Sequence, residues 1–182
     1  QGNVPQDEKF VPELQVPMLM WHTQQLMLAK TDLVVAPETA IPLLPSQLPE
    51  GYWDALVSGF QAPGRHALVG VPLGSFEDGY TNSIAGLSEA ASQDAAGFYR
   101  YDKHHLVPFG EYLPFTRLLN AIGLRQLTVG SGFAAGDGPQ VLDAAPPFAP
   151  LICYEVIFPH AVIDPNGPRP GWFVNITDDS WF

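Results

Sequence analysis

The chain has 182 residues, 46% hydrophobic and 15% charged, with 19 prolines and 17 glycines. That composition belongs to one globular domain with a substantial core and many short elements. Nineteen acidic residues against eight basic ones leave a net charge of −11, which excludes nucleic acid as a partner and gives no attraction to anionic lipid.

Residues 13–29, ELQVPMLMWHTQQLMLA, place apolar residues at helical spacing and predict a helix with Pro17 in its first turn. DLVVAPE (32–38) is a short apolar run and reads as a buried strand. PEGYWDALVSGF (49–60) predicts a second helix, and HALVGVPLG (66–74) a second buried strand. YTNSIAGLS (80–88) and GFYRYDK (97–103) read as a neighbouring pair of strands, and PFTRLLNAIGL (114–124) as a short amphipathic helix. TVGSGFAAGDGP (128–139) is glycine-rich and predicts a mobile loop. PQVLDA (139–144) and APLIC (149–153) are two further strands, EVIFPHAVI (155–163) starts a helix, and GWFVNIT (171–177) is a last strand. Strands with interspersed helices imply an α/β layered fold in a single domain over 1–182. No run approaches about 18 apolar residues, so no transmembrane helix is predicted within these residues. The start, QGNVPQ, and the stop after SWF suggest an excerpt from a longer protein, truncated at both ends.

Three reactive groups fall where strands end. Glu38 follows LVVAP, Lys103 follows FYRYD, and Cys153, the only cysteine, follows APLI. Ligand sites of open α/β sheets gather at such ends. Taken singly, a buried cysteine is core filling, a strand-end glutamate is a cap, and a lysine is surface. Together they compose a nucleophilic site. A carboxylate takes the thiol proton, the thiol attacks a carbonyl, and the lysine with a backbone N–H after Cys153 holds the oxyanion. A cysteine at a strand-to-helix turn would also gain thiolate character from the helix N-terminus. The five histidines (22, 66, 104, 105, 160) show no zinc-type spacing, so no metal site is predicted.

APETAIP (36–42), YDKHHLVPFGEYLPF (101–115), ICYEVIFP (152–159) and NITDDSWF (175–182) carry a resemblance over nearly the whole chain. The chain resembles the nitrilase superfamily and, more narrowly, the nitrilase-like domain of the apolipoprotein N-acyltransferase family. The resemblance implies an αββα sandwich and a catalytic triad of Glu38, Lys103 and Cys153. It implies supporting or substrate-binding roles for Glu111, Tyr154, Glu155 and Trp181, and places Asn82 near the site. It also implies an acyl transfer without cofactor. The acyl group would pass from a phospholipid to the cysteine, and then to the N-terminal amine of an apolipoprotein diacylglyceryl-cysteine. The location would be the bacterial inner membrane, with the catalytic domain facing the periplasm.

Suppressing hydrolysis of the thioester calls for an apolar cover. Two stretches are candidates, IPLLPSQLPEGYW (41–53) and LPFTRLLNAIGLRQLTVGSGF (113–133). The alternative functions are a soluble amidase or hydrolase using the same three residues with water as acceptor, and a catalytically dead binding domain.

Overall fold

A computed structural model describes residues 11–89, 99–112, 132–142 and 146–178. The chain opens with helix α1 (Pro12–Leu28), strand β1 (Leu33–Val35) and helix α2 (Tyr52–Ser58). Strands β2 (His66–Ser75), β3 (Gly79–Leu87), β4 (Tyr99–Asp102), β5 (Phe148–Ile152) and β6 (Trp172–Ile176) follow. One sheet has the order β1-β2-β3-β4, with β1 parallel to β2 and the other pairs antiparallel. The second pairs β5 with β6 in parallel.

The period-2 alternation of strands decides the layering. Ala67, Val69, Val71 and Leu73 of β2 and Ala85 and Leu87 of β3 pack with Leu19 and Leu26 of α1 and Leu56 and Val57 of α2. The intervening Leu68 and Ile84, with Tyr101 of β4, face Phe148, Ile152, Val174 and Ile176 of the second sheet. The described layers are therefore helix, sheet, sheet, and the α/β sandwich expectation holds.

Several local expectations differ from the structure. Helix α1 begins at Pro12, whose missing N–H is harmless at the first position, so Pro17 lies inside the helix and not in its first turn. Strand β1 has three residues and Val35 is exposed, because the chain leaves the sheet early to form the Glu38 turn. Within 139–144 only Leu142 makes a bridge, to Phe148, and no strand forms over the described part. Cys153–Ile157 is a five-residue 3₁₀ turn, followed by further turns, where a helix was expected. Pro159 lacks the N–H that a helix starting at 155 would need.

The stretch 41–53 is not a cover. Ile41 is fully buried, and Leu43, Leu48, Tyr52 and Trp53 pack against the helix-side core. The helix expected at 114–124 lies outside the described residues, as does 113–131 of the second candidate cover. The described part of the glycine-rich loop is tethered. Phe133 N–H donates to the Glu111 carbonyl at 2.8 Å, Ala134 N–H to that of Tyr80 at 2.6 Å, and Gly136 N–H to that of Lys103 at 2.9 Å.

Candidate active site

Glu38 sits in a turn laid directly across β2. Ala36 N–H donates to the Leu68 carbonyl at 2.8 Å, and Ile41 N–H to the Gly70 carbonyl at 3.0 Å. A Cβ at Gly70 would lie 2.4 Å from the Pro37 oxygen and 2.7 Å from the Glu38 Cα. Glycine is what lets this backbone approach so closely. Thr39 completes the turn with φ +55°.

Lys103 follows β4 and is 1% exposed. Its N–H donates to the Asn82 carbonyl at 2.9 Å, which continues the pairing of β4 with β3. Its ammonium lies 2.8 Å from each oxygen of Glu111 and 3.8 Å from Oε1 of Glu38. Glu111 is fixed in turn by Val107 N–H, donating to Oε2 at 2.8 Å. Asn82 reaches both carboxylates: Nδ2 donates to Glu38 Oε1 at 2.7 Å and to Glu111 Oε1 at 3.0 Å. The other Glu38 oxygen accepts from the backbone N–H of Asp178 at 3.1 Å.

Cys153 directly follows β5, opening the 3₁₀ turn with φ +52°, and is half-buried. Its carbonyl accepts from Asn175 Nδ2 at 3.3 Å, which binds the turn to β6. Thr39, Phe109 and Cys153 are the non-glycine residues with left-handed backbone among the described residues. Each lies in or beside the turns that present the site, and such conformations cost about 1–3 kcal/mol apiece.

Glu38, Lys103, Glu111, Cys153 and Tyr154 line one cavity of about 320 Å³, together with Val107, Gly110 and Asp178. Asn82 lies behind it, between the two glutamates. Glu155 is absent from the cavity lining and 1% exposed; it is occupied with backbone N–H groups on either side of the site. Trp181 lies outside the described residues. Tyr154 packs edge-on against Phe158, with ring centroids 5.0 Å apart.

Residue-by-residue reading missed Thr177 and Asp178 as site groups. Both belong to the quoted NITDDSWF run, but strand alternation alone does not say which residue after β6 turns toward the cysteine. Among the described residues, no cluster of three histidine, cysteine, aspartate or glutamate side chains could hold a metal ion.

The electrostatics differ from the sequence expectation. Burial pushes the Cys153 thiol up from its ordinary value. A hydrogen bond with Thr177 and the charge of Lys103 pull it down, while the charge and hydrogen bond of Glu38 push it up. No helix N-terminus opposes the burial, because the turn after Cys153 is a short 3₁₀ segment. Lys103 is engaged at close range by both oxygens of Glu111. The arrangement stores a thiol beside a carboxylate, with an anchored ammonium next to it. A carbonyl carbon entering the cavity would meet thiol, carboxylate and ammonium together.

No protein-family model matches the chain. It is 45% identical over 189 residues, all of this chain and 34% of the relative, to an apolipoprotein N-acyltransferase of Verminephrobacter eiseniae. It is 34% identical over 205 residues, covering 36% of the relative, to an apolipoprotein N-acyltransferase of Rhodopseudomonas palustris. The chain thus spans about a third of the length of the curated relatives it matches. A CN-hydrolase superfamily protein of Xanthomonas campestris superposes with a TM-score of 0.55 at 17% identity, over 90% of this chain and 59% of that one. A glutamine-dependent NAD+ synthetase of Acinetobacter baumannii superposes with a TM-score of 0.55 at 15% identity, over 90% of this chain and 29% of that one. These two likenesses are likenesses of fold.

Proposed function

The chain belongs to the apolipoprotein N-acyltransferase family and has a nitrilase-superfamily fold, and from that premise we propose that Cys153 carries an acyl group from a phospholipid to the N-terminal amine of an apolipoprotein. The observation that carries this reading is the convergence of Glu38, Lys103 and Cys153, from three different strand ends, on one cavity.

The proposed reaction has two halves. In the first, Glu38 takes the thiol proton as sulfur attacks the ester carbonyl of the phospholipid. Lys103 and the backbone N–H following Cys153 balance the oxyanion. The tetrahedral adduct collapses, the C–O bond breaks, and the lysophospholipid oxygen leaves with the proton held by Glu38. In the second half, the amine of the diacylglyceryl-cysteine attacks the thioester and Glu38 accepts its proton. The C–S bond breaks, sulfur recovers a proton, and an amide is formed. An α-amine with a reference pKa of about 7.7–8.0 keeps a neutral fraction of about 10–20% at pH 7, and that fraction can act as the nucleophile. The location that goes with this reading is the bacterial inner membrane, the site facing the periplasm. No described helix is long and apolar enough to cross a membrane, so attachment would come from elsewhere in the protein.

The test uses the full-length protein and vesicles of radiolabelled phospholipid. The expected result is a hydroxylamine-sensitive label on Cys153 that a lipopeptide amine discharges as amide. Labelling of Cys153→Ala at the wild-type level, or discharge only as free fatty acid, rules the reading out. The second outcome identifies a hydrolase.

A further inference from the structure

Behind the cavity wall, Glu155 is 1% exposed and gathers four donors, two on each oxygen. Oε1 accepts the backbone N–H groups of His104 at 2.8 Å and His105 at 3.1 Å. Oε2 accepts the Ile152 N–H at 2.8 Å and the Tyr101 hydroxyl at 2.8 Å. The backbone donors His104 and His105 directly follow Lys103 and Ile152 directly precedes Cys153, so one carboxylate ties the lysine strand to the cysteine strand.

A buried carboxylate needs a counter-charge. The His104 ring supplies the geometry for one. Nδ1 lies 2.7 Å from Glu155 Oε1, and Nε2 lies 3.2 Å from the Ala161 carbonyl oxygen. The ring thus meets a hydrogen-bond acceptor at each nitrogen. The Tyr101 hydroxyl, 3.0 Å from Nδ1, has its own proton directed to Glu155 and is not the donor that a neutral ring would need. The other titratable rings against His104 are Tyr101, at 6.4 Å between centroids, and His105, at 5.7 Å. Asp102 lies on the same strand as Tyr101 and turns to Ser83 and Arg100.

We propose that His104 is an imidazolium, the buried counter-ion of Glu155, and that the pair is a positioning element holding Lys103 and Cys153 at their working separation. Neither residue lines the cavity, so His104 acts through Glu155 and not on substrate. This deepens the proposed acyl transfer and rests on it.

The decisive spectrum is that of full-length protein labelled with ¹⁵N-histidine, with the His104 signals assigned by their loss in His104→Gln. Two protonated ring nitrogens at pH 7 are expected. One protonated and one bare nitrogen overturns the proposal, and His104→Arg supplies the assignment where His104→Gln does not fold. The kinetic arm compares acylation from phospholipid vesicles. His104→Gln should lower kcat with KM unchanged, and His104→Arg should recover part of the loss. A displacement of about 1 Å at a reacting group can cost about 10²-fold, which sets the expected scale. If His104→Gln acylates like wild type while Cys153→Ala does not acylate at all, the positioning role fails and the thioester reading stands. If Cys153→Ala still acylates, the thioester reading itself fails, and the spectrum alone judges the ion pair.

Discussion

At the scale of single residues the site sets a thiol that resists ionisation beside a carboxylate, Glu38, which in the proposed reaction takes its proton. Burial is the leading cause of the raised Cys153 thiol, and Glu38 adds to it by charge and hydrogen bond. The rate of alkylation by iodoacetamide should therefore rise with pH to a midpoint above the ordinary thiol value of 9.0. Replacing Glu38 by glutamine removes a negative neighbour, so that midpoint should fall. Turnover should nevertheless drop by about 10²–10⁴-fold, the usual contribution of a general base. The opposite directions of the two readouts are the check: a midpoint that rises in Glu38→Gln contradicts the geometry. The same shift bears on stability. A folded thiol that titrates above its unfolded value contributes fully below the unfolded pKa, and the contribution is lost as pH rises through the folded pKa. Lys103 behaves differently, because its ammonium is the close partner of Glu111. Lys103→Met strands that carboxylate in the wall of the cavity. The expected cost is about 3–5 kcal/mol, the scale of a buried pair broken from one side, and it is read from the urea midpoint of proteolytic protection. A loss below about 1 kcal/mol would place the pair in the class of solvent-exposed bridges.

At the scale of elements, close backbone approach matters as much as side-chain identity. The Glu38 turn rests on Gly70 and the loop at 136 rests on the end of β4. A Cβ at Gly136 would meet the Asp102 oxygen at 2.3 Å. Gly70→Ala should push the Glu38 turn off the sheet and destabilise by about 1–3 kcal/mol, as overpacking typically does. Acylation should fall more steeply than stability, since the base moves with the turn. Equal folding midpoints for Gly70→Ala and wild type would show that the turn can yield. The readings that went astray at this scale share a cause. Residues 155–163 contain enough apolar side chains for a helix, but Glu155 is drawn inward by donors from β4 and β5, which the local pattern does not contain. Gly132 and Gly136 signal chain freedom, yet they serve close contact with the backbones of Glu111 and Asp102. The apolar residues of 41–53 suggest a cover, yet Ile41 is core and Leu43 and Leu48 pack against the helix-side cluster.

At the scale of the whole molecule, the catalytic separation depends on how the two sheets stack. Phe148 is fully buried between them, stacked on Trp172 at 5.0 Å and packed with Leu68, Ile84 and Tyr101. Phe148→Ala should cost about 3–5 kcal/mol and also slow acylation, since β5 carries Cys153 while β1 and β4 carry its partners. Pulse proteolysis in urea measures the first effect and vesicle labelling the second. A variant destabilised to that degree with undiminished acylation at low temperature would show that sheet stacking does not set the site.

Sequence by itself determined the α/β class, the order of the main elements and the three chemical types at the strand ends. It could do so because alternation, helical spacing and a cysteine-glutamate-lysine trio at apolar-run ends are local signals. Tertiary structure alone decided that Asn82 bridges Glu38 and Glu111, that Glu155 faces away from the cavity toward His104, and that burial keeps Cys153 a thiol. Those contacts join residues 29 to 51 positions apart, brought within hydrogen-bonding distance only when the chain folds and excludes water.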